Sequence, residues 1–300
     1  MIDLSHAQWY INRYGGSEKK RTLFYQGRYY MVKFPEEPRS KKVEISYINS
    51  QFSEHVGCQI FKLAGMEAQN TFLGRYVDSS TGKEKIVVAC EDFTQDGNRL
   101  LEFSKIGLHE MSSDKRYATN FEDVYELIER VRLPMDKMRL KEYFWDMFVV
   151  DALIGNIDRH LDNWGLLEQP DGRIIPAPIY DCGSALSPLK SDEEKQELLE
   201  NPNLMKSREY NLCTVYRKAG ARVAYHEMFK APSRDLEEAI VRMVPRIQKA
   251  MPQMEAFIEG TEGMTAISKA YMKQSIGMRV EKILSPALKK VQEQQYERVR

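Results

Sequence analysis

The chain has 300 residues, and its 44 lysines and arginines are balanced by 44 aspartates and glutamates, so the formal net charge is zero. A neutral chain has no overall field that would draw it to nucleic acid or to an anionic membrane, which favours a small molecule or a protein as the substrate. With 42% apolar residues it is large enough for one big domain or two lobes.

The four cysteines lie far apart and form no CxxC pair, which argues against a zinc ribbon or a disulfide framework and fits a reducing compartment. The first residues lack the basic-then-apolar pattern of a signal peptide. The longest apolar run, MFVVDALI, contains Asp151 and is too short to cross a bilayer. The sequence therefore predicts no membrane span and a location in the cytoplasm, or export by a route that needs no classical signal peptide.

The first part of the chain has the pattern of a small β-rich lobe. The stretch TLFYQGRYYMVKFP, residues 22–35, alternates apolar and polar residues around a Gln-Gly-Arg turn, which predicts a β-hairpin. A long helix is predicted in EISYINSQFSEHVGCQIFKLAGM, where apolar residues recur at helical steps and Gly65 is placed to end the helix. The segments TFLGRYV and KEKIVVACEDF then predict two strands joined by an SSTG turn.

The rest of the chain has a mostly helical pattern. FEDVYELIERVRL and RLKEYFWDMFVVDALIGN carry apolar stripes, WGLLEQPDGRIIPAPIYD predicts a hairpin, and long amphipathic helices are predicted towards the end. Between them, a polar stretch holds one short helix, whose start is marked by Ser191 and Glu194 as a capping box. The predicted architecture is α+β and bilobal, with a small β-rich lobe containing one long helix in residues 1–93 and a larger, mostly helical lobe in residues 94–300.

The stretch GNIDRHLDNWG, residues 155–165, contains candidate catalytic and metal-binding residues. Asp158 and Asn163 stand in the D-x-x-x-x-N relation of kinase catalytic loops, where the aspartate receives or orients the substrate hydroxyl and the asparagine binds magnesium. A second metal-binding carboxylate is expected after the next hairpin, and Asp181 in IYDCGS stands there. Together, Asp158, Asn163 and Asp181 would provide the proton acceptor and the oxygen ligands for magnesium that phosphoryl transfer needs.

The predicted small lobe contains residue types that suit the phosphates of ATP. Gly15, Gly16 and Ser17 offer unhindered backbone N–H groups, and Lys20 belongs to the positive charge that follows them. Lys33 lies on the return strand of the predicted hairpin, as does the lysine that binds the α- and β-phosphates in kinases. These five residues are the predicted phosphate-binding set.

Glu54, on the predicted long helix, is the expected ion-pair partner of Lys33. It lies on a semi-apolar stripe, as expected for a helix that is contacted on two sides. Glu44 is the competing partner, but at the start of the helix a carboxylate has an ordinary dipole-stabilising role. The strand that ends in ACEDF is the predicted hinge, where backbone groups between Glu91 and Phe93 would meet the adenine edge.

With these residues assembled, the sequence resembles the HipA-like serine/threonine kinases, a bacterial branch of the protein-kinase-like superfamily. GSEKK, residues 16–20, is similar to the family's G-x-Q-x-K loop, and Ser53-Glu54 with LAGM matches its N-E…A-G-[LI] helix. GNIDRHLDN matches G-N-x-D-x-H-x-x-N, and APIYDCGS, residues 177–184, matches A-P-x-Y-D-x-x-S. The resemblance implies a protein-kinase-like fold, ATP and Mg²⁺ as cofactors, and a protein or the chain itself as the phosphate acceptor.

The resemblance also implies roles for single residues. Asp158 is the catalytic aspartate, and Asn163 and Asp181 are the magnesium ligands. His160 occupies the position of the family's loop histidine, in a structural role within the catalytic loop, and Ser17 is the nearest candidate for autophosphorylation. HipA toxins carry an additional amino-terminal domain that helps to contact an antitoxin, whereas only about a dozen residues precede the loop in this sequence. The resemblance is therefore closer to the compact CtkA-like members and makes an antitoxin partner doubtful.

Two alternative functions stay open from the sequence. The pattern D-R-H-x-D-N also resembles lipid-kinase loops, and aminoglycoside kinases share D-x-H-x-x-N, so a phosphoinositide or small-molecule kinase is one alternative. The other is a nucleotide-binding pseudokinase that acts as an interaction module, against which the intact set of predicted catalytic and metal-binding residues speaks. An unrelated metal cluster in the loop is disfavoured, because the spacing does not fit an EF-hand and no second histidine is near enough for zinc.

Overall fold

The computed structural model describes five segments of the chain, residues 1–11, 20–35, 49–78, 81–106 and 120–299. The predicted phosphate-binding residues Gly15, Gly16 and Ser17 and the competing partner Glu44 lie outside the described residues. In the segments that the structure describes, no helix combines the length and the apolar character that crossing a membrane requires.

A six-stranded sheet forms the amino-terminal part, with the strand order β1-β5-β6-β4-β3-β2. Its strands are β1 (Ile2–Asp3), β2 (Trp9–Tyr10), β3 (Lys20–Tyr25), β4 (Arg28–Lys33), β5 (Thr71–Val77) and β6 (Glu84–Glu91). β3 and β4 are the predicted hairpin, with Lys20 opposite Lys33 and a two-residue turn in which both residues have positive φ. β5 and β6 are the other two predicted strands, so the strand predictions for this part are confirmed.

The helix α1 (Ser50–Leu63) packs on this sheet and ends near the predicted glycine. Its apolar residues, including Phe52, Val56 and Ile60, belong to one buried cluster with Val88 of β6. Gly65 has φ of 85°, and Met66 N–H donates to the carbonyl of Phe61, as in a helix C-terminal cap. The helix carries Glu54 between the sheet and the rest of the chain.

The described part of the remaining chain is mostly helical and contains two small sheets. β7 (Arg99–Glu102), β8 (Gly165–Glu168) and β9 (Ile174–Pro176) form one sheet, which includes the predicted second hairpin, and β10 (Cys213–Lys218) pairs with β11 (Ala221–Ala224). The helices are α2 (Phe103–Ile106), α3 (Phe121–Arg130), α4 (Lys137–Ile154), α5 (Asp192–Glu200), α6 (Pro202–Tyr210), α7 (Tyr225–Lys230), α8 (Arg234–Gly260), α9 (Ala266–Arg279) and, after a π-helical turn, α10 (Ser285–Val299).

The prediction of one short helix in the polar stretch after the second hairpin was wrong, because two helices are present. α5 begins with the predicted capping box at Ser191 and Glu194. α6 follows at once, since Asn201 caps it by accepting from Leu204 N–H and Pro202 occupies its first turn. The β10–β11 hairpin was not predicted either. The α+β fold class, with strands first and helices afterwards, is confirmed, and the predicted lobe boundary after residue 93 stays a prediction.

α4 positions the loop that the sequence singled out. From Phe144 onward the helix is buried on nearly all sides, and α4 packs against α1, α3, α8 and α9. It ends at Gly155, whose φ of 61° turns the chain directly into the loop. A Cβ at this position would lie 2.5 Å from Arg279 Nη2, so glycine is also required by the packing. The loop therefore starts from a rigid support.

Candidate active site

Hydrogen bonds within the loop after α4 hold its backbone in one conformation. The side-chain oxygen of Asn156 accepts from Asp158 N–H at 3.1 Å, and the carbonyl of Asp158 accepts from His160 N–H at 2.9 Å. The same carbonyl accepts from Asn163 Nδ2 at 2.8 Å. These bonds fix the backbone of Asp158 while 48% of its side chain stays exposed. The carboxylate is therefore anchored and accessible, as a group that handles a substrate hydroxyl must be.

The environment of Asp158 raises the pKa of its carboxyl, as would suit the predicted role of a proton acceptor. Burial raises the pKa of its carboxyl, and the negative charge of Asp181 acts in the same direction, against the lowering effects of His160 and Arg222. A carboxylate with a raised pKa takes up a proton more readily than one in free water.

His160 supports the loop. Its Nδ1 accepts from the backbone N–H of Asp162 at 3.2 Å, so in the neutral ring the proton is on Nε2. Nε2 lies 3.9 Å from Asp158 Oδ2, which places the ring's N–H side towards the carboxylate. The ring therefore contacts the backbone of its own loop and faces Asp158, and the structural role of His160 stays a prediction.

Lys33 contacts two acidic side chains that come from different parts of the chain. Its Nζ donates to Glu54 Oε2 at 2.9 Å and to Asp181 Oδ1 at 2.8 Å. Glu54 is fully buried, and its other oxygen accepts from Cys182 N–H at 3.1 Å. Glu54 therefore links β4, α1 and the turn that follows Asp181, while Glu44 lies outside the described residues.

Asp181 lies in a strained turn and is held as an anion. Its φ of 57° is in the left-handed region, which a non-glycine residue adopts only at a cost. Burial acts to raise the pKa of its carboxyl, but the charge and the hydrogen bond of Lys33 outweigh burial and lower the pKa from 3.8 to about 2. Arg159 and Lys20 lower it further. Lys20 is thus one of the positive charges that act on this site.

The predicted hinge residues lie at the end of β6. The backbone N–H of Glu91 donates to the carbonyl of Asn70, and its carbonyl accepts from Gln69 Nε2, each at 2.8 Å. Both backbone groups of Glu91 therefore have partners within the chain. Phe93 follows two residues later and packs against Tyr180, with ring centroids 5.7 Å apart, directly beside Asp181. An adenine contact by either residue stays a prediction.

Sequence reasoning missed Arg159 and Asp151. Arg159 is 2% exposed, and it donates to both carboxylate oxygens of Asp151 and to the backbone carbonyls of Asn163 and Tyr180. The feature of the sequence that could have revealed this pair was Asp151, because an acidic residue inside an apolar helix requires a buried partner. The arginine of the loop was the nearest candidate in the sequence.

The oxygen atoms available at this site suit magnesium better than a metal ion whose ligands all come from the protein. Asn163 uses Nδ2 to bond Asp158, so its amide oxygen is the atom left for a cation, and Asp181 adds one carboxylate. Within the described parts of the chain, no three histidine, cysteine, aspartate or glutamate side chains converge on a point that would hold a metal ion. Magnesium requires no such cage, because it is commonly held by one or two protein oxygens together with nucleotide phosphates and water.

The close approach of α1 to the Asp181 turn can be tested at Gly57. A Cβ at this position would lie 2.6 Å from Cys182 Cβ, so Gly57→Ala must push the helix away from the turn. Overpacking of this kind costs about 1–3 kcal/mol, partly offset by about 0.5–1 kcal/mol of helix propensity. We expect a net loss in the free energy of unfolding in urea. Gly277→Ala on α9, with no atom within 4 Å of the added Cβ, is the matched control and is expected to gain stability. A gain at both positions would contradict the close approach.

Comparison with known proteins identifies the family. The HipA-like C-terminal domain family matches residues 13–251. The serine/threonine-protein kinase CtkA of Helicobacter pylori is 36% identical over 282 residues, which cover 91% of this chain and 82% of CtkA. The crystal structure of a Helicobacter pylori proinflammatory kinase CtkA matches with a TM-score of 0.86 at 34% identity, over 97% of this chain and 98% of that one.

A more distant structure shares the fold. HipA of Shewanella oneidensis MR-1, solved in a complex with HipB and operator DNA, matches with a TM-score of 0.56 at 16% identity, over 92% of this chain and 68% of that one. At this identity the likeness concerns the fold alone. The family match and the CtkA relative each span most of the chain. The chain therefore belongs to the HipA-like C-terminal domain family and is a kinase of the HipA type.

Proposed function

We propose that the protein is an ATP-dependent serine/threonine protein kinase that phosphorylates itself or another protein. One observation carries the proposal: Lys33 contacts both the buried Glu54 and the strained Asp181. A lysine held by a helix glutamate beside a metal-binding aspartate is the arrangement that protein kinases use for the phosphates of ATP. The relative named serine/threonine-protein kinase CtkA supports the acceptor class.

Each residue of the site has a part in this proposal. Lys33 binds the α- and β-phosphates, with Lys20 as a further positive charge, and Glu54 keeps Lys33 in place. Magnesium, held by Asn163 and Asp181, would neutralise charge on the transferred phosphate when bound. The buried hydrogen bonds of Glu54 mean that the lysine is positioned before any nucleotide arrives, which is how a site of this kind lowers a barrier.

Asp158 acts on the acceptor hydroxyl. The hydroxyl oxygen attacks the γ-phosphorus, the bond from that phosphorus to the β–γ bridging oxygen breaks, and ADP leaves. Asp158 orients the hydroxyl and takes its proton, for which its exposed, anchored carboxylate with a raised pKa is suited. Positioning and charge neutralisation would supply nearly all of the rate enhancement.

The test is mass spectrometry of the purified protein after incubation with magnesium and ATP, alone and with a serine/threonine peptide library. We expect phosphate on serine or threonine, in the protein or in the peptides. Parallel reactions with phosphoinositide vesicles and with amino-alcohols and aminoglycosides test the other acceptor classes. Transfer only to a lipid or a small molecule would overturn the choice of acceptor, and nucleotide binding without any transfer would favour a pseudokinase.

A further inference from the structure

One buried guanidinium lies between the two segments that carry the predicted metal ligands. Arg159 Nε and Nη2 donate to the two carboxylate oxygens of Asp151, at 3.0 and 3.2 Å. Nη1 donates to the carbonyl of Asn163 at 2.8 Å and to the carbonyl of Tyr180. Tyr180 directly precedes Asp181, so one side chain is bonded to the backbone of one predicted ligand and to the backbone next to the other.

The geometry of these bonds restricts how the two segments can move. The bonds to Asn163 and Tyr180 share a single nitrogen, so the two carbonyl oxygens must stay side by side. The plane of the guanidinium is set in turn by its two-pronged contact with Asp151, which lies on the buried helix α4. The distance between the loop and the Asp181 turn is therefore fixed by contacts to the buried helix α4.

We propose that Arg159 is a positioning residue that sets the separation between Asn163 and Asp181 and thereby determines how strongly the site binds magnesium. This inference rests on the proposed function, because it takes these two residues as the metal ligands. Arg159 donates every bond to protein atoms, so it would act through the ligands rather than on the metal. Partners of this outer kind commonly change metal affinity or activity by about 10–100-fold when they are replaced.

The competing explanation is that the ion pair only holds the fold together. Arg159→Lys separates the two explanations, because lysine keeps a positive charge beside Asp151. Its single ammonium group cannot span two carboxylate oxygens and two carbonyls in the way that a planar guanidinium does. The fold is therefore expected to survive while the link between the carbonyls is lost.

The experiment is titration calorimetry with a non-hydrolysable ATP analogue, with and without magnesium. In the wild type, magnesium is expected to increase the affinity for the analogue. In Arg159→Lys we expect the metal-free affinity to stay within about 2-fold of wild type, and the gain on adding magnesium to fall by about 10–100-fold. Phosphate transfer at fixed magnesium should fall in parallel, but the binding measurement does not depend on turnover.

A matched control exists on the same helix. Arg242, on α8, also donates from Nε and Nη2 to an aspartate of α4: both nitrogens contact Asp146 Oδ1, at 3.1 and 2.8 Å, and Nε also contacts Oδ2 at 3.4 Å. Arg242→Lys removes the same kind of contact and is expected to leave the magnesium gain unchanged. If Arg159→Lys also kept the wild-type gain, the positioning role would be wrong even for an active kinase. If the wild type bound nucleotide and magnesium but transferred no phosphate, the proposed function would fail instead.

A second variant covers the case in which Arg159→Lys does not fold. Asp151→Asn with Arg159→Met removes both charges together, so no buried charge is left without a partner. We expect this double variant to fold and bind the metal-free analogue, with the magnesium gain still reduced. A full magnesium gain in the folded double variant would assign the pair a purely structural role.

Discussion

Replacing Asp158 with asparagine is expected to lower the rate of phosphate transfer by roughly 10²–10⁴-fold, the usual contribution of a general base. Asparagine keeps the size and the hydrogen-bonding shape of the side chain but cannot take up the proton of the acceptor hydroxyl. The measurement is the initial rate of phosphate incorporation at saturating ATP. Affinity for the ATP analogue should stay close to wild type, because Asp158 faces the acceptor rather than the nucleotide in the proposed arrangement.

The stability of Asp158→Asn should not decrease. The pKa of Asp158 is raised in the folded protein, so its ionised form is less favourable there than in the unfolded chain. The folded state therefore loses stability as the pH rises through the range where this carboxyl ionises. At neutral pH the neutral asparagine removes that cost, and we expect an equal or higher Tm. A higher Tm with a lower rate is the pattern of a residue kept for function.

Asp162→Asn is the control within the same loop. The Asp162 side chain accepts from Ser104 and lies 3.7 Å from His160 Nδ1, contacts that an asparagine oxygen can also make. We expect this variant to keep most of the wild-type rate. Equal losses of rate in Asp158→Asn and Asp162→Asn would mean that any loss of negative charge in the loop lowers the activity. Asp158 would then have no special role.

Short-range patterns in the sequence were sufficient for much of the fold and part of the site. The alternation in residues 22–35 and the period of three to four after Ser50 depend only on neighbouring residues, so the β3–β4 hairpin and α1 could be predicted. Glu54 could be chosen because a residue on a secondary apolar stripe of a helix must meet a second surface. The structure puts its carboxylate in contact with Lys33, while the functional roles of both residues stay predictions.

Features that depend on contacts between distant parts of the chain could not be predicted from short-range patterns. The importance of Arg159 arises because residues from α4, the loop and the Asp181 turn converge on it. The left-handed φ of Asp181 could not be predicted either, since aspartate adopts this region only occasionally and the sequence does not show at which aspartate it will do so. By contrast, the start signal of α6, Asn201 followed by proline, was local and could have been used.

The second large effect is expected at the Lys33–Glu54 pair. Lys33→Met leaves a fully buried glutamate without its charged partner, and breaking such a pair costs about 3–5 kcal/mol in the free energy of unfolding. Glu54→Gln should cost less, because Lys33 keeps its contact with Asp181. Both losses are measured by urea unfolding at neutral pH.

The pH dependence of the Lys33→Met effect has a defined sign. Lys33 holds the pKa of Asp181 near 2, below its ordinary value of 3.8. A lowered pKa contributes stability that is fully present above 3.8 and is lost as the pH falls towards 2. Part of the difference in stability between the wild type and Lys33→Met should therefore disappear in that range. A difference that stayed constant from neutral pH down to 2 would exclude a contribution from Asp181.

The double variant Lys33→Met with Glu54→Gln separates folding from catalysis. Because both charges are removed, no buried charge is left unpaired, and most of the stability lost in Lys33→Met should return. Activity should not return, since the proposal requires the lysine itself to bind the phosphates. We expect the double variant to transfer phosphate at least about 100-fold more slowly than wild type, the scale on which a misplaced reactant reduces a rate. Recovery of both stability and rate would mean that Lys33 serves the fold alone, and the site would then need another group to bind the phosphates.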